Sequence, residues 1–176
     1  MNKLNLIAVV LGAASTLATA QTAQPAQQAP AQQVNSIVQA AAAQGVRRCA
    51  GRIGQFTDFL LAGSQAGAQM FASPNPAAAD KSIASLSMEI QAGGVLSYAS
   101  ASFAPDAETG QCSGVYDAVV YWPKSCADVY RDTFPTYRPI AALRQSITTL
   151  DGGATVRAYL MPAGAGCVSI KKEVTF

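Results

Sequence analysis

Four cysteines are the residues of this chain whose chemistry is easiest to assign, namely Cys49, Cys112, Cys126 and Cys167. An even number of cysteines is typical of disulfide bonding in an exported chain, and the N-terminal residues of this chain indicate export. A metal site is disfavoured, because no two cysteines have C-x-x-C spacing and the chain has no histidine to complete a mixed ligand set. We therefore predict two disulfides and no metal or other cofactor.

The pairing of the cysteines follows in part from their spacing. Cys112 and Cys126 flank a predicted strand of about eight residues, which would span roughly 26 Å at 3.3 Å per residue. Linked Cα atoms lie only about 4.4 to 6.8 Å apart, so this bond is excluded, and with it the bond between Cys49 and Cys167. Two schemes remain, 49–112 with 126–167 and 49–126 with 112–167. The first is preferred, because a short helix starting at Cys126 can dock over the last strand.

Catalytic chemistry is restricted by the absence of histidine from the chain. Ser-His-Asp and Cys-His catalysis both require that side chain, and no G-x-S-x-G, P-loop or G-x-G-x-x-G motif is present. A His-independent hydrolase could use a carboxylate pair or a Ser-Lys pair such as Ser169 and Lys171. The carboxylate candidates are Glu89, Glu108, Asp117 and Glu173. Nothing in their spacing brings two of them to one cleft, so we predict that the protein is not an enzyme.

Aromatic residues are concentrated between Cys112 and Pro139, at Tyr116, Tyr121, Trp122, Tyr130 and Tyr137. Most of them are explained by packing in the core and against the sheet. Tyrosine and tryptophan are also favoured at the centres of protein interfaces. Tyr121 and Trp122, at the end of a predicted strand beside Cys126, are therefore the candidate contact surface.

The first twenty residues have the pattern of a bacterial secretory signal peptide. Lys3 precedes an apolar run over residues 4–17, and the stretch ends in the small-x-small triplet of residues 18–20. That run is shorter than the roughly 20 apolar residues that a membrane-spanning helix needs. We predict a signal peptide at 1–20, a disordered Gln/Ala/Pro leader at 21–33 and a single domain at 34–176, located in the periplasm or secreted.

Apolar and small residues recur every three or four positions from residue 34 to residue 70. This spacing is typical of one face of an amphipathic helix, and we predict a long N-terminal helix over the segment. Gly45 and Gly51 are candidate break points, because glycine weakens a helix by about 1 kcal/mol relative to alanine. We expect Ile53 and Phe56 to be buried against a sheet.

Beyond residue 82 the apolar period changes to alternation, which is typical of half-buried strands. The predicted strands are 83–91, 95–103, 115–122, 143–150, 155–160 and 167–176. The segment 143–150 also fits a helix, although a strand is preferred. Ser125 is a good N-cap for a short helix at 126–133, with Asp128 at the third helical position as in a capping box.

The predicted order is α-β-β-β-α-β-β-β, with no convincing internal repeat. A long helix packed on an antiparallel sheet buries one helical stripe and one sheet face, so the fold class is α+β, a disulfide-stapled two-layer sandwich. A formal net charge of +2 gives no strong basic footprint, so no nucleic-acid partner is expected. No stable membrane span is expected after cleavage of the signal peptide.

We therefore predict a non-enzymatic exported protein that binds another envelope or secreted protein. The alternative is a proteinaceous inhibitor of a secreted hydrolase, which would insert the loop at 105–110 or the turn at 162–166 into a cleft.

Overall fold

The computed structural model describes residues 35–64 and 66–176, so the predicted signal peptide and leader lie outside the described residues. The helices are α1 (Ser36–Ala43), α2 (Ala50–Leu61), α3 (Pro76–Ala79) and α4 (Cys126–Thr133). The strands are β1 (Ala66–Phe71), β2 (Ala84–Ala92), β3 (Val95–Pro105), β4 (Cys112–Trp122), β5 (Arg138–Leu143), β6 (Ile147–Asp151), β7 (Val156–Ala163) and β8 (Gly166–Thr175). They form one eight-stranded antiparallel sheet in the order β1-β2-β3-β4-β8-β7-β6-β5. The coarse prediction of an α+β fold is confirmed.

The single long helix predicted over residues 34–70 is replaced in the described residues by two helices and a strand. α1 ends before Gly45, whose φ of +88° is a left-handed conformation that suits glycine. α2 ends at Leu61, because Ala62 and Gly63 that follow have φ values of +44° and +85°. The apolar stripe nevertheless continues, because Ala66 and Met70 of β1 also pack against the core.

The strand predictions are largely confirmed, but both edge strands are missed. β2, β3, β4, β7 and β8 overlap the predicted segments, and α4 begins where predicted, with Ser125 Oγ accepting a hydrogen bond from the N–H of Asp128 at 3.2 Å. The predicted strand at 143–150 instead contains the last residue of β5, a turn at 144–146 with Arg144 at φ +65°, and most of β6. β1 and β5 are therefore additions to the predicted order.

The same unit occurs twice in the described chain: a helix followed by a four-stranded meander. α2 precedes β1 to β4, with α3 inserted after β1, and α4 precedes β5 to β8. In each unit the helix packs on the third and fourth strands, and the two units join through their last strands, β4 and β8. This repeat is hidden in the sequence, because β1 and β5 lack the alternation that reveals the other strands.

The two disulfides occupy equivalent places in these units. Cys49 is the N-cap of α2 and is bonded to Cys112, the first residue of β4. Cys126 opens α4 and is bonded to Cys167, the second residue of β8. The preferred pairing is confirmed. Each bond fastens the start of a helix to the start of the last strand of its own unit.

A pseudo-two-fold axis relates the two units. Cys112 and Cys167 lie near the starts of equivalent strands, and Asp117 and Lys172 both lie five residues further along. Asp117 and Lys172 are direct cross-strand partners in the antiparallel pair of β4 and β8. The axis therefore passes between these two residues, at the centre of the sheet.

The core lies on the side of the sheet that the helices cover, hereafter the helix face. One cluster lies under α1 and α2 and includes Ile53, Phe56 and Phe103, which are 0%, 3% and 0% exposed. The predicted burial of Ile53 and Phe56 is confirmed. A second cluster lies under α4 and includes Val129 and Leu160. The opposite side of the sheet is hereafter the open face.

Candidate functional site

The open face carries large apolar side chains that no helix of the described residues covers. Successive side chains of a strand point to opposite faces. Ala99 and Phe103 of β3 point into the core, so Tyr98 points to the open face. Leu96, Tyr98 and Tyr121 are 59%, 47% and 52% exposed. Singly exposed apolar residues are ordinary, whereas a contiguous patch marks an interaction site.

The strand register makes these side chains contiguous across four strands. Along one row, Tyr98 is paired with Val119, Val119 with Ile170, and Ile170 with Tyr159. In the next row, Tyr121 is paired with Val168 and Val168 with Met161. We call this set the aromatic patch: Tyr98, Val119, Tyr121, Tyr159, Met161, Val168 and Ile170. It lies on β3, β4, β8 and β7, at the middle of the sheet.

A row of charged residues borders the aromatic patch. The row follows the cross-strand partners Arg138, Asp151, Arg157, Lys172 and Asp117. Its ion pairs join Arg138 to Asp151 at 3.0 Å, Arg157 to Asp151 at 2.8 Å and Lys172 to Asp117 at 2.7 Å. An apolar centre beside a polar border is the usual anatomy of a protein interface.

The carboxylate of Asp151 is held in its charged form by its neighbours. Its pKa lies below the ordinary value, first because the N–H of Gly153 donates to it and then because Arg138 and Arg157 lie beside it. The charged row is therefore built from groups that already have partners within the chain.

The predicted contact pair, Tyr121 and Trp122, is divided between the two faces of β4. Tyr121 belongs to the aromatic patch. Trp122 points to the helix face, where it packs against the second core cluster and its Nε1 donates to Ser169 Oγ at 2.8 Å. The alternation of side chains along β4 could have separated Tyr121 from Trp122. Alternation along β3 and β7 could also have placed Tyr98 and Tyr159 on the open face, and sequence reasoning missed both.

The structure does not gather the four carboxylate candidates into one cleft. Asp117 lies on the open face in its ion pair with Lys172, whereas Glu173 lies on the helix face, and Glu108 lies in the loop between β3 and β4. Glu89 is exposed on the open face but two strands away from Asp117. The Ser169 hydroxyl is buried beside Trp122, and Lys171 is engaged elsewhere.

Lys171 belongs to a polar network on the helix face. Tyr116 Oη donates to Glu173 Oε2 at 2.7 Å, and Lys171 Nζ donates to both of these oxygens at 2.8 and 3.0 Å. Lys171 Nζ also lies 5.1 Å from the centre of the Phe59 ring, in cation–π contact. Burial and the Glu173 carboxylate raise the pKa of Tyr116 above its usual range. Each polar group in the network has a partner. The network therefore links α2 to β8 and has a structural role.

Replacement of Glu173 by glutamine should reduce the acid sensitivity of the fold. Desolvation raises the pKa of Glu173, but hydrogen bonds from Tyr116 and Lys171 outweigh it, and the net pKa is below the ordinary 4.5. The unfolded state therefore binds the proton more readily, so this contribution to stability is complete above the ordinary pKa and is lost as the pH falls through the lower folded-state pKa.

The measurement is urea unfolding between about pH 3 and 7. We expect Glu173→Gln to cost about 1 to 3 kcal/mol at neutral pH, as for hydrogen bonds to a charged group, and much less at the acid end. Tyr116→Phe removes one of the two donors and should give an intermediate curve. If the free energy of unfolding varies with pH in the same way for the wild type and Glu173→Gln, the Glu173 carboxylate does not contribute pH-dependent stability.

The two loops considered for cleft insertion differ in form. The loop at 106–111 is exposed and internally hydrogen-bonded, with Asp106 Oδ1 accepting from the N–H groups of Glu108 and Thr109 at 2.8 and 2.9 Å. The N–H of Asp106 donates to the carbonyl of Gln111 at 2.8 Å and closes the loop. By contrast, β7 and β8 are joined by a two-residue turn with Gly164 at φ +59°.

Residues 35–64 and 66–176 include no group of three or more His, Cys, Asp or Glu side chains placed to hold a metal ion. No helix within these ranges is long and apolar enough to cross a membrane. The two disulfides are compatible with an extracellular or periplasmic protein. No family model, curated protein or solved structure matches this chain.

Proposed function

We propose that this is a non-enzymatic exported protein that binds another envelope or secreted protein through the open face of its sheet. The observation that carries the proposal is the aromatic patch, in which Tyr98, Tyr121 and Tyr159 lie among aliphatic side chains in register across four strands. Tyrosine supplies a large contact area with a polar tip, which suits a surface that is exposed before binding and covered afterwards.

The scaffold supports this use of the face. A disulfide anchors the helix layer of each unit, and the strands that carry the aromatic patch are the central ones of the sheet. The patch is thereby held in a fixed arrangement before the partner arrives. Such preorganisation reduces the entropy cost of binding.

Simultaneous replacement of Tyr98 and Tyr121 by serine should remove the binding. Truncation of a residue at an interface hot spot costs 2 kcal/mol or more, which corresponds to about a 30-fold loss of affinity. The matched control is Phe59→Ser, which removes an aromatic ring that is 60% exposed on the helix face. Affinity capture from an extract of the exporting cell, quantified protein by protein, provides the measurement.

We expect at least one protein to be retained equally by the wild type and Phe59→Ser, and to be depleted more than tenfold by the double tyrosine variant. Retention of the same proteins at the same levels by all three forms would rule out the open face as the binding surface. Both tyrosines are about half exposed, so we expect the double variant to fold. Circular dichroism of the double variant checks this.

The alternative function, inhibition of a secreted hydrolase, is favoured by one observation: the hydrogen-bonded loop at 106–111. Backbone N–H groups from Thr109 and Glu108 lower the pKa of Asp106, so its carboxylate stays charged and keeps the loop ordered. Protein inhibitors benefit from such preformed loops. The test is a panel of secreted proteases and glycosidases, assayed with the wild type and with Asp106→Ala. Inhibition that weakens in the variant would support this alternative over the open face.

A further inference from the structure

The two edges of the sheet differ in how they are protected against pairing with another strand. β5, at one edge, carries Arg138 and Pro139 and has a register irregularity between Pro139 and Ala141. A charge, a proline and a bulge are the usual devices that prevent edge-to-edge association. β1, at the other edge, has the sequence AGAQMF and carries none of them.

The β1 edge is regular and its outer side is unpaired. All six residues of β1 are in unbroken register with β2. Because an edge strand bonds to a neighbour on one side only, its outward N–H and C=O groups face away from the sheet. No other described segment forms a backbone hydrogen bond to them. β1 is therefore a ready template for one more strand.

Space for the side chains of an added strand exists on both faces beside β1. On the helix face, a hollow of about 440 Å³ lies between α1 and β1 and is lined by Ile37, Ala40 and Met70 among others. The open face of β1 is covered by no helix of the described residues, and a hollow of about 640 Å³ lies at the start of the strand, beside the turn between β2 and β3. Side chains of a strand alternate between the faces, so an added strand would place one set in the hollow under α1 and the other over the uncovered open face.

The charge distribution of this edge favours a second copy of the chain as the occupant. Neither α1 nor β1 contains a charged residue. An uncharged strand meets its own copy without repulsion between like charges. Among the described residues that line either hollow, the one with a charge, Glu89, lies on β2 and not on the edge strand. The leader at 21–33 fits less well, because Pro25 and Pro30 have no N–H to donate to a ladder.

We propose that β1 is a dimerisation edge, at which a second copy adds its own β1 in antiparallel pairing and extends the sheet across both subunits. A two-fold axis perpendicular to the sheet produces this pairing, and two-fold dimers are the commonest protein assemblies. The same axis keeps the helices of both copies on one face, so the two α1 helices become neighbours over the joined strands. This proposal is independent of the aromatic patch.

Sedimentation equilibrium tests the dimer directly, because it measures the mass of the purified protein in solution. We expect twice the mass of a single chain at micromolar concentration. Ala68→Lys, at an exposed position in the middle of β1, should weaken the dimer at least tenfold, because it brings like charges together near the axis. The matched control is Ala142→Lys on the exposed edge strand β5, which should leave the mass doubled.

Hydrogen exchange provides a second measurement that does not depend on the folding of a variant. On dilution of the wild type, amides of β1 should lose protection while those of β5 do not change. A single-chain mass up to about millimolar concentration, a dimer that Ala68→Lys leaves intact, or β1 protection independent of protein concentration would each overturn the proposal. A single-chain mass together with β1 protection by a synthetic peptide of residues 21–33 would overturn the dimer and assign the edge to the leader.

Discussion

Replacing Phe56 by alanine should lower the free energy of unfolding by about 3 to 5 kcal/mol, the usual cost of truncating a buried aromatic side chain. Phe56 is 3% exposed and its ring packs against Phe103 and Tyr116, with ring centres 5.4 Å away in both cases. The absence of a side chain at Gly114 makes room for the ring, because a Cβ there would lie 2.9 Å from Phe56 Cζ. The surrounding residues cannot collapse easily into the space left behind.

The matched control is Phe59→Ala, which removes the same ring from the same helix at a position that is 60% exposed. We expect it to cost less than about 1 kcal/mol, for loss of the contacts with Lys171 and Tyr116. Both variants are compared by urea or thermal unfolding. Equal losses for the two variants would contradict the assignment of the buried face of α2.

Removal of either disulfide should cost about 4 kcal/mol on the loop-entropy model. The sequence separations are 63 residues for Cys49 and Cys112 and 41 residues for Cys126 and Cys167. Because the entropy term depends on the logarithm of loop length, the two losses should differ by less than about 0.5 kcal/mol. Each double alanine variant is compared with the wild type by denaturant unfolding.

The difference between these variants tests the equivalence of the two units. If each bond fastens the helix of its own unit to the last strand, the two double variants should lose similar amounts of unfolding free energy. A loss below about 1 kcal/mol for one variant and about 4 kcal/mol for the other would contradict that equivalence. Non-reducing peptide mapping of the wild type checks the pairing itself.

The strands with strong alternation could be predicted from the sequence, because one face of each is buried. β2 and β3 belong to this class. β1 and β5 could not be predicted in this way, because edge strands bury little on either face and their alternation is weak. The predicted helix extended too far into β1, because Gly67 and Met70 continue the helical spacing although they lie in a strand.

The cap of α4 could also be predicted, because it depends on residues close in sequence. The cysteine pairing could be reduced to two schemes, of which the structure has the preferred one. Ser125 caps α4 through Asp128, and the exclusion of a bond between Cys112 and Cys126 needed only the length of a strand. The aromatic patch could not be predicted in full. It depends on the pairing of β4 with β8, which are distant in sequence, so the alignment of Val119 with Ile170 appears only in the assembled sheet.

Site-specific photocrosslinking in the cell that produces the protein tests the proposed binding face most directly. A photoreactive phenylalanine analogue replaces, one at a time, Tyr98 and Tyr121 on the open face, Phe59 on the helix face and Glu108 in the loop. All four positions are exposed. We predict that the two open-face positions crosslink to one and the same protein and that Phe59 does not. Crosslinks from Phe59 or Glu108 alone, with none from Tyr98 and Tyr121, would contradict binding through the open face.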